Sequence, residues 1–451
     1  MQTQKHLMTS GSISKLLLRF SFPLFLGALF QQLYNAVDSW VVGQFCGDEA
    51  LAAVSSSGSL CFLLIGFCQG VFLGGGVVIS SRYGARDQKG VEKSVHTLVV
   101  FALLMGVLLT VGGVLFTPTI LRWMGTPENV LPQSIAYFRI FCGGLMALVL
   151  YNAAVGIFQA LGDTKRPLIY LLIAAIANAV LDFLFVAGLN WGVSGAALAT
   201  VLGQALSAVL AFAHLMRKDA IVQIQIKKLV PDLKLLKKIL QFGLPSGFQN
   251  SVIAIANVVV QSNINAFGDA AMAGCGSYSK IEAFVFLPIQ SITMAITTFI
   301  GQNLGAGNIP RAKKGGKIGT LMVVAASEII GLFVFFLAPQ LIGIFSKTPE
   351  VLQYGVQQAH VEALFYCFLG YSHGCASILR GTGRSMTPMM VMLSVWCVFR
   401  ILYITVFVHF VPNILVLFTA YPVTWFLSSV CLLIAVKKLD WEHDKLSTKK
   451  A

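Results

Sequence analysis

The sequence predicts an all-α integral membrane protein with twelve transmembrane helices in two six-helix bundles, related by pseudo-two-fold symmetry. Three observations support this fold class. Of the 451 residues, 57% are hydrophobic and only 11% are charged, whereas a soluble domain carries about 25% charged residues. Long apolar runs recur along the chain, and the second half repeats short motifs of the first. This composition excludes both an ordinary soluble enzyme and a disordered chain.

Apolar runs separated by polar, glycine or proline residues define the predicted helices. A membrane-spanning helix needs about 20 mainly apolar residues. Several of the runs are longer, which indicates tilt or extension beyond the bilayer. The twelve predicted spans cover residues 16–45, 51–81, 92–116, 131–160, 167–188, 192–216, 238–266, 271–302, 316–338, 350–379, 387–410 and 413–436.

The distribution of basic residues predicts the topology. Most of the 32 Lys and Arg residues lie in the two tails and in the connections after the even-numbered spans, as Arg82, Arg166 and Lys313 do. The positive-inside rule therefore places both termini in the cytoplasm of a multi-pass protein of the cell (inner) membrane. The net charge of +14 is attributed to topology and contact with anionic lipid, and nucleic-acid binding is not expected.

An internal repeat relates the two halves. Residues 20–23 (Phe-Ser-Phe-Pro) recur at 242–245 as Phe-Gly-Leu-Pro, and Gly84-Ala85 recurs as Gly305-Ala306. Since each half has six spans, an even number, both halves enter the membrane from the same side and the repeat is parallel. The predicted organisation is an N-terminal lobe, a cytoplasmic linker, a C-terminal lobe and a cytoplasmic tail over residues 1–216, 217–237, 238–436 and 437–451.

Four polar residues in the first half form the predicted ion site. Ionisable groups inside membrane spans are costly and mark functional sites. At 1.5 Å per helical residue, Asp38 and Asp182 lie about 15 and 12 Å from the outer edge. Asn178 is one turn from Asp182 on the same helix face, and Thr200 reaches a similar depth. Such oxygen groups suit Na+, whereas two close carboxylates favour a bound proton. The alternative is a structural polar network between three helices.

The second half lacks an equivalent carboxylate pair. Lys280 and Glu282 lie two residues apart on span 8, so they do not face each other. Together with Arg400 they are candidates for a substrate cavity, and the alternative is neutralised structural pairing. Pro23 removes a backbone hydrogen bond from span 1 and permits either a hinge or a static kink. No cofactor is predicted, because the nine cysteines are scattered without a C-x-x-C pair or a Cys/His cluster.

Several motifs occur in a fixed order along the chain. They are Asn35-Ala-Val-Asp38, Arg82-Tyr-Gly-Ala-Arg-Asp87, Gly162-Asp-Thr-Lys-Arg-Pro167, Asn178-x-x-x-Asp182, Gly195-Ala-Ala-Leu-Ala-Thr200 and Gly301-Gln-Asn-Leu-Gly-Ala306. Together with the six-plus-six repeat, they resemble the multidrug and toxic compound extrusion (MATE) family over nearly the whole length. The lack of carboxylates in span 7 fits its DinF-like branch better than the NorM-like branch.

The resemblance implies a multidrug efflux antiporter that exports organic, often cationic, compounds in exchange for H+ and/or Na+ by alternating access. It implies the same ion-site residues, Asp38, Asn178, Asp182 and Thr200, and it makes Pro23 the hinge. The expected partners are small-molecule drugs or toxins and membrane lipid, and a monomer is expected.

Other function classes fit the residues less well. The chain has no P-loop and so no ATP motor of its own. It is not expected to be an enzyme, because clustered catalytic or metal-ligating residues are missing. A channel is disfavoured by the two-lobed repeat. A lipid-linked oligosaccharide flippase of the wider superfamily is the main alternative, and it would need a cluster of Arg or Lys in its cavity.

Overall fold

The computed structural model describes residues 7–442, and all regular structure within that range is helical. The predicted tail residues 1–6 and 443–451 lie outside the described range. The helices of the N-terminal half are α1 (Ile13–Cys46), α2 (Asp48–Gly84), α3 (Gln88–Trp123), α4 (Leu131–Gly143), α5 (Leu145–Ala160), α6 (Lys165–Asp182) and α7 (Gly192–Leu215). A bend of 47° separates α4 from α5, and α6 continues into a π-helical turn at Phe183–Gly188.

The C-terminal half contains eight further α-helices within the described residues. They are α8 (Leu233–Asn265), α9 (Asp269–Gly305), α10 (Ile309–Gly343), α11 (Pro349–Glu362), α12 (Tyr366–Gly381), α13 (Met386–Met392), α14 (Arg400–Phe410) and α15 (Leu415–Lys437). A 3-10 turn at Ala363–Phe365 joins α11 to α12, and a π-helical turn at Leu393–Phe399 joins α13 to α14. Counting joined helices as one segment, each half has six segments.

The predicted all-α architecture of two six-helix halves is confirmed, because every predicted span coincides with one of these segments. Among residues 7–442, nine segments are long and apolar enough to cross a membrane, or ten when the bent pair α4–α5 counts as one span. The segments α8 and α11–α12 contain more polar residues, among them Gln249, Gln358 and Glu362. Those side chains are buried within the protein, where they are shielded from lipid.

The repeat is visible in the geometry of equivalent turns. Gly162 and Gly383 both have a backbone φ of +83°, and each follows the fourth segment of its half. The left-handed conformation suits glycine and ends a helix. In both turns the amide two residues past the helix cap donates to a carbonyl five residues earlier, Asp163 to Phe158 at 2.9 Å and Arg384 to Leu379 at 2.9 Å. The repeated glycine therefore performs the same structural task in both halves.

The chain divides into two compact units. Of the described residues, the first unit contains Leu7 and residues 26–83 and 87–241, and the second contains residues 8–25, 84–86 and 242–442. Each unit has its own apolar core. Phe138, Phe141 and Leu145 belong to the core of the first unit, and Phe299 and Trp425 to that of the second.

Helix α1 is shared between the units. Its first residues belong to the second unit, and the residues from 26 onward belong to the first. Leu17 and Phe20 are buried in the core of the second unit. The point where α1 passes from one unit to the other lies three residues after Pro23, which is inside the helix.

Side chains of α9 and α10 form hydrogen bonds to the backbone of the segment that precedes α1. We call the segment Met8–Gly11 with its three partner side chains the N-terminal anchor. The Met8 amide donates to Gln302 Oε1 at 2.8 Å, and Asn303 Nδ2 donates to the Met8 carbonyl at 3.2 Å. Arg311 Nη2 donates to the Gly11 carbonyl at 2.8 Å. The segment Met8–Gly11 is thus held by the end of α9 and the beginning of α10 in the second unit.

Candidate ion site in the first unit

The four predicted ion-site residues come from three helices of the first unit. Asp38 lies on α1, Asn178 and Asp182 lie one turn apart on α6, and Thr200 lies on α7. Asp182 is 0% exposed and Asn178 is 1% exposed. Asp38 is also buried, and Thr200 is partly buried with its hydroxyl oxygen inaccessible. We call these four residues the carboxylate site.

Close packing of α6 against α7 sets the level of the site. A Cβ atom placed on Gly203 would lie 3.1 Å from Asn178 Cβ and 3.4 Å from the Ala174 carbonyl oxygen. Gly203 thus lies beside Asn178. Because α6 and α7 are antiparallel neighbours, Thr200, one turn before Gly203, lies near the level of Asp182, one turn after Asn178. Only glycine allows this approach without displacement of a neighbour, so the small residue brings the polar side chains together.

The polar atoms of the carboxylate site lack hydrogen-bond partners within the protein. Asp38 Oδ1, both carboxylate oxygens of Asp182, Asn178 Nδ2 and Thr200 Oγ1 are all buried and unpaired. Buried polar groups are nearly always hydrogen-bonded, and leaving one unpaired costs about 1–3 kcal/mol. A ligand bound from outside the chain would supply the missing partners, which makes the carboxylate site a candidate binding site.

The chemistry of the donor set favours a monovalent cation or a proton. Asp38 and Asp182 are close enough for their charges to repel each other, and either an added cation or an added proton relieves that repulsion. The remaining unpaired atoms are the Thr200 hydroxyl oxygen, a ligand type that hard cations prefer, and Asn178 Nδ2, a donor that can hydrogen-bond to a carboxylate. Among the described residues, no group of three or more His, Cys, Asp or Glu side chains could hold a metal ion, so the set does not resemble a zinc site.

A π-helical turn follows Asp182 directly, at Phe183–Gly188. Such turns interrupt regular helical hydrogen bonding and occur frequently at functional sites. Phe183 packs edge-on against Trp40, with ring centroids 6.2 Å apart, and against Phe45 at 6.3 Å. Aromatic rings from α1 and the π-turn therefore lie close to both carboxylates along the chain.

Three further residues near the carboxylate site were missed by the sequence reasoning. The Tyr34 hydroxyl lies beside Thr200 and within electrostatic range of both carboxylates. Tyr137 is buried and also within electrostatic range of both. Gln204 lies one turn after Thr200, and its Oε1 atom is buried without a partner. Helical spacing from Asp38 and Thr200 could have indicated Tyr34 and Gln204, but no sequence signal pointed to Tyr137.

The candidate substrate-cavity residues of the second unit have different surroundings. Arg400 is buried, donates to Thr424 Oγ1 at 2.8 and 3.2 Å, and lies 4.3 Å from the ring centroid of Tyr421. Glu282 is partly buried within electrostatic range of Arg400. Lys280 is exposed and lies 5.1 Å from the ring centroid of Phe345. The structure thus associates Glu282 with Arg400, whereas Lys280 faces an aromatic ring on a different element.

A second buried carboxylate in this unit is fully hydrogen-bonded. Glu362 is 0% exposed, accepts from Gln358 Nε2 at 2.8 Å and accepts from the Tyr278 hydroxyl at 3.2 Å. Both Glu362 oxygens accept a hydrogen bond from a side chain, whereas neither Asp182 oxygen has a hydrogen-bond partner.

Comparisons with known proteins identify relatives over the whole chain. The MatE family model matches twice, at residues 23–184 and 245–406, which confirms the internal repeat. The "Probable multidrug resistance protein YoeA" of Bacillus subtilis is 27% identical over 95% of this chain and 94% of its own length. The "Probable multidrug resistance protein YpnP" of the same organism is 27% identical over 86% and 87%.

Solved structures share the fold. A MOP superfamily transporter from Pyrococcus furiosus superposes with a TM-score of 0.91 at 23% sequence identity, covering 97% of this chain and 98% of that one. At this level of identity the likeness concerns the fold alone.

Proposed function

Because the chain belongs to the MATE family of membrane transporters, we propose that it is a multidrug efflux antiporter coupled to H+ and/or Na+. In this proposal it exports organic, often cationic, compounds by alternating access. It resides in the cell membrane with both termini in the cytoplasm, as the basic residues of its connections indicate. The multidrug resistance names of its relatives favour this function over the lipid-linked oligosaccharide flippase.

The carboxylate site carries the proposal. It combines two buried acids that repel each other with amide and hydroxyl groups that have no partner in the protein. A cation or proton bound there satisfies the unpaired oxygens and removes the repulsion between Asp38 and Asp182. Tyr34, Tyr137 and Gln204 extend the polar lining. We assign the four residues of the site to ion binding on this basis.

Exchange requires that the ion and the drug favour different states of the protein. A ligand shifts a conformational equilibrium only by its differential affinity for the two states. In the proposed cycle, cation release from Asp38 accompanies drug binding, and cation binding drives drug release. Helix α1 connects this site to the second unit, and Pro23 lies three residues before its passage between the units. We therefore place the hinge at Pro23.

Substrate contacts are assigned to the second unit in the same proposal. Glu282 offers a negative charge to a cationic drug, Arg400 is its positive neighbour, and Lys280 lies two residues before Glu282 on α9. Aromatic rings near Arg400 provide the flat apolar surfaces that suit organic cations. The protein needs no cofactor in this scheme besides the coupling ion, and we expect it to act as a monomer.

The Asp38→Asn variant tests the proposal. Efflux of a drug panel would be measured in vesicles, first against pH at fixed Na+ and then against Na+ at fixed pH. Asn keeps the size of Asp but not its charge, so the variant should resemble a site that is permanently neutralised. We expect export to fall by at least about tenfold, with normal insertion because neutralising a buried charge should not greatly destabilise the fold.

Asp219→Asn is the matched control, because Asp219 is an exposed acid of the same unit that pairs with Arg217 at 3.3 Å. Its transport should equal that of the wild type under both gradients. Full activity of Asp38→Asn under both gradients would remove Asp38 from the mechanism and with it the proposed function.

A further inference from the structure

A second polar cluster lies in the second unit. It consists of Ser246 and Gln249 on α8 and of His373 and Arg380 on α12, and we call it the Arg380 cluster. Ser246 is 3% exposed and Gln249 is 2% exposed. Arg380 Nη2 donates to Gln249 Oε1 at 3.1 Å, and Gln249 Nε2 donates to the sulfur of Met392 at 2.8 Å. Both ends of the Gln249 amide are thereby occupied.

The other polar atoms of the cluster have no partner. Arg380 Nε, His373 Nε2 and Ser246 Oγ are buried and unpaired. His373 is seven residues before Arg380, so it lies on the same side of α12. Its ring is held between Phe286 and Trp396, at centroid distances of 6.1 and 5.5 Å. Each unpaired atom can donate a hydrogen bond, so the cluster offers donors and a positive charge.

No acid balances the Arg380 charge nearby. The sequences of α8, α12 and α13 contain no Asp or Glu, and within residues 7–442 no carboxylate lies within 4 Å of Arg380. The acids on the neighbouring helices α9 and α10 are remote. Glu328 accepts from the Cys367 amide at the other end of α12, 13 residues or about 20 Å along the helix from Arg380.

Glu282 is equally remote from Arg380. Thr297 of α9 donates to the Ser377 carbonyl at 3.3 Å, which aligns these two residues near the level of Arg380. Glu282 lies 15 residues earlier on α9, about 22 Å away along the helix axis. The carbonyl groups at the end of α12 offset part of the guanidinium charge. They leave the Nε, imidazole and hydroxyl donors without an acceptor.

We propose that the Arg380 cluster is a binding site for an anionic group, a carboxylate or a phosphate. A guanidinium presents a planar fork that matches the oxygens of both groups. Gln249 holds one arm of the fork in place, and the Nε–H group, His373 and Ser246 supply further donors. The site lies in the second unit and uses none of the residues assigned to the coupling ion. The anionic group comes either from a free inorganic anion or from an acidic moiety of a transported compound.

The test measures anion binding to the full-length protein in lipid nanodiscs. Benzoate, its neutral analogue benzamide, chloride and inorganic phosphate would be titrated at constant Na+, with tryptophan fluorescence as the signal because Trp396 packs on His373. We expect saturable binding of an anion and none of benzamide. Arg380→Gln should weaken anion binding by about tenfold or more, since a hydrogen bond to a charged group is lost. The anion affinity of Arg380→Lys, which keeps the charge, should lie between that of the wild type and that of Arg380→Gln.

Further variants complete the design. Lys314→Gln removes an exposed charge from α10 of the same unit and should leave anion binding unchanged. If Arg380→Gln does not fold, Ser246→Ala and His373→Gln test the site with smaller changes, and each should weaken binding severalfold. Tighter binding of chloride or phosphate than of benzoate identifies a free inorganic anion as the occupant, and the reverse order identifies an acidic moiety of a substrate.

The inference fails if no anion binds saturably, or if Arg380→Gln and the two smaller variants bind anions as the wild type does. The outcome is independent of the proposed function. Asp38→Asn should bind anions normally even where transport is lost, so failure of the ion-coupling proposal and failure of the anion site can be told apart.

Discussion

The chemistry of the carboxylate site depends on neutral side chains as much as on its two acids. Asp38 and Asp182 supply charge, whereas Asn178, Thr200 and Gln204 supply polar atoms without charge, and all five have buried polar atoms without a partner. A proton needs only a carboxylate, but Na+ needs several oxygens at once. Under the proposed function, Gln204 is therefore a residue through which the preference between the two ions can be adjusted.

Gln204→Leu should weaken Na+ dependence more than H+ dependence. The substitution keeps a similar size and removes the amide oxygen one turn from Thr200, so a sodium ion loses a ligand while the carboxylates remain. We expect the Na+ concentration for half-maximal transport to rise by about tenfold, measured as drug efflux from vesicles at fixed pH. The pH response should change little.

Ser207→Ala is the matched control for this variant. Ser207 lies on the same helix three residues later, and its hydroxyl already donates to the Gly203 carbonyl at 3.2 Å. Loss of this hydroxyl in Ser207→Ala should leave the ion dependence of transport unchanged. An unaltered Na+ response in Gln204→Leu would exclude Gln204 from the ion site.

Acidification should oppose activation by Na+. Under the proposed function protons and Na+ compete for the same carboxylates, so protonation of Asp38 or Asp182 would remove the charge that attracts Na+. As pH falls, the Na+ concentration for half-maximal binding should rise, and as pH rises it should fall to a plateau. Binding of radioactive Na+ to the purified protein at several pH values measures this. A constant Na+ affinity across the pH range would contradict a shared site.

At the scale of single elements, α1 has two different environments along one continuous helix. Its beginning is held in the second unit by the N-terminal anchor and by Leu17 and Phe20 in the core. Its later part carries Asp38 in the first unit. The anchor is built from backbone carbonyl groups and three side chains, so it can be weakened without changing α1 itself.

Arg311→Ala should loosen the N-terminal anchor. Arg311 donates to the Gly11 carbonyl at 2.8 Å and its guanidinium lies 5.4 Å from the Phe299 ring centroid, so the substitution removes a charge-assisted hydrogen bond and a cation–π contact. We expect amide hydrogen exchange at residues 8–20 to accelerate by about tenfold, measured by mass spectrometry.

The exposed neighbour Lys314 provides the comparison. Lys314→Ala removes a positive charge three residues after Arg311 on α10 and leaves the hydrogen bonds of the N-terminal anchor in place. Amide hydrogen exchange at residues 8–20 should stay as in the wild type. Equal exchange in Arg311→Ala and the wild type would show that the anchor does not depend on Arg311.

At the scale of the whole molecule, the two repeated halves differ in their polar interiors. The first unit contains unpaired carboxylates, whereas the second contains the hydrogen-bonded Glu362 and the buried Arg400. The same helical scaffold is thus used for different chemistry. We assign ion response to the first unit and substrate contacts to the second.

Glu282→Gln should change which compounds are exported without removing ion dependence. The variant loses a negative charge beside Arg400 and leaves the carboxylate site intact, so export of cationic compounds should fall severalfold relative to neutral ones. Efflux of a matched cationic and neutral drug pair under a Na+ or pH gradient measures this. Loss of all ion dependence in Glu282→Gln, with Asp38→Asn behaving as the wild type, would reverse the assignment.

Much of this organisation follows from the sequence, and the limits have physical causes. Apolar runs and the repeat predicted the twelve helical segments, because spans need long apolar stretches and equivalent turns need residues such as Gly162 and Gly383. Charge inside predicted spans pointed to Asp38 and Asp182 as buried carboxylates, and the structure buries both. The sequence could not predict the place of residues 8–25 in the second unit, because contacts between distant segments such as Met8 and Gln302 leave no periodic pattern. The position of Tyr137 near the carboxylate site could not be predicted for the same reason.

Helix α1 also fixes a rotational phase within the first unit. An α-helix turns by about 100° per residue, so the direction of Asp38 depends on the number of residues between it and Val41 and Val42, which lie in the core of the first unit on the same helix. Inserting one alanine after Ser39 would turn the Asp38 side chain by about 100°, away from Asp182, whereas four alanines would restore its direction to within about 40° at a displacement of about 6 Å. Under the proposed function, ion dependence should therefore vary periodically with the length of the insertion, as expected for a rigid helical segment and not for a flexible tether.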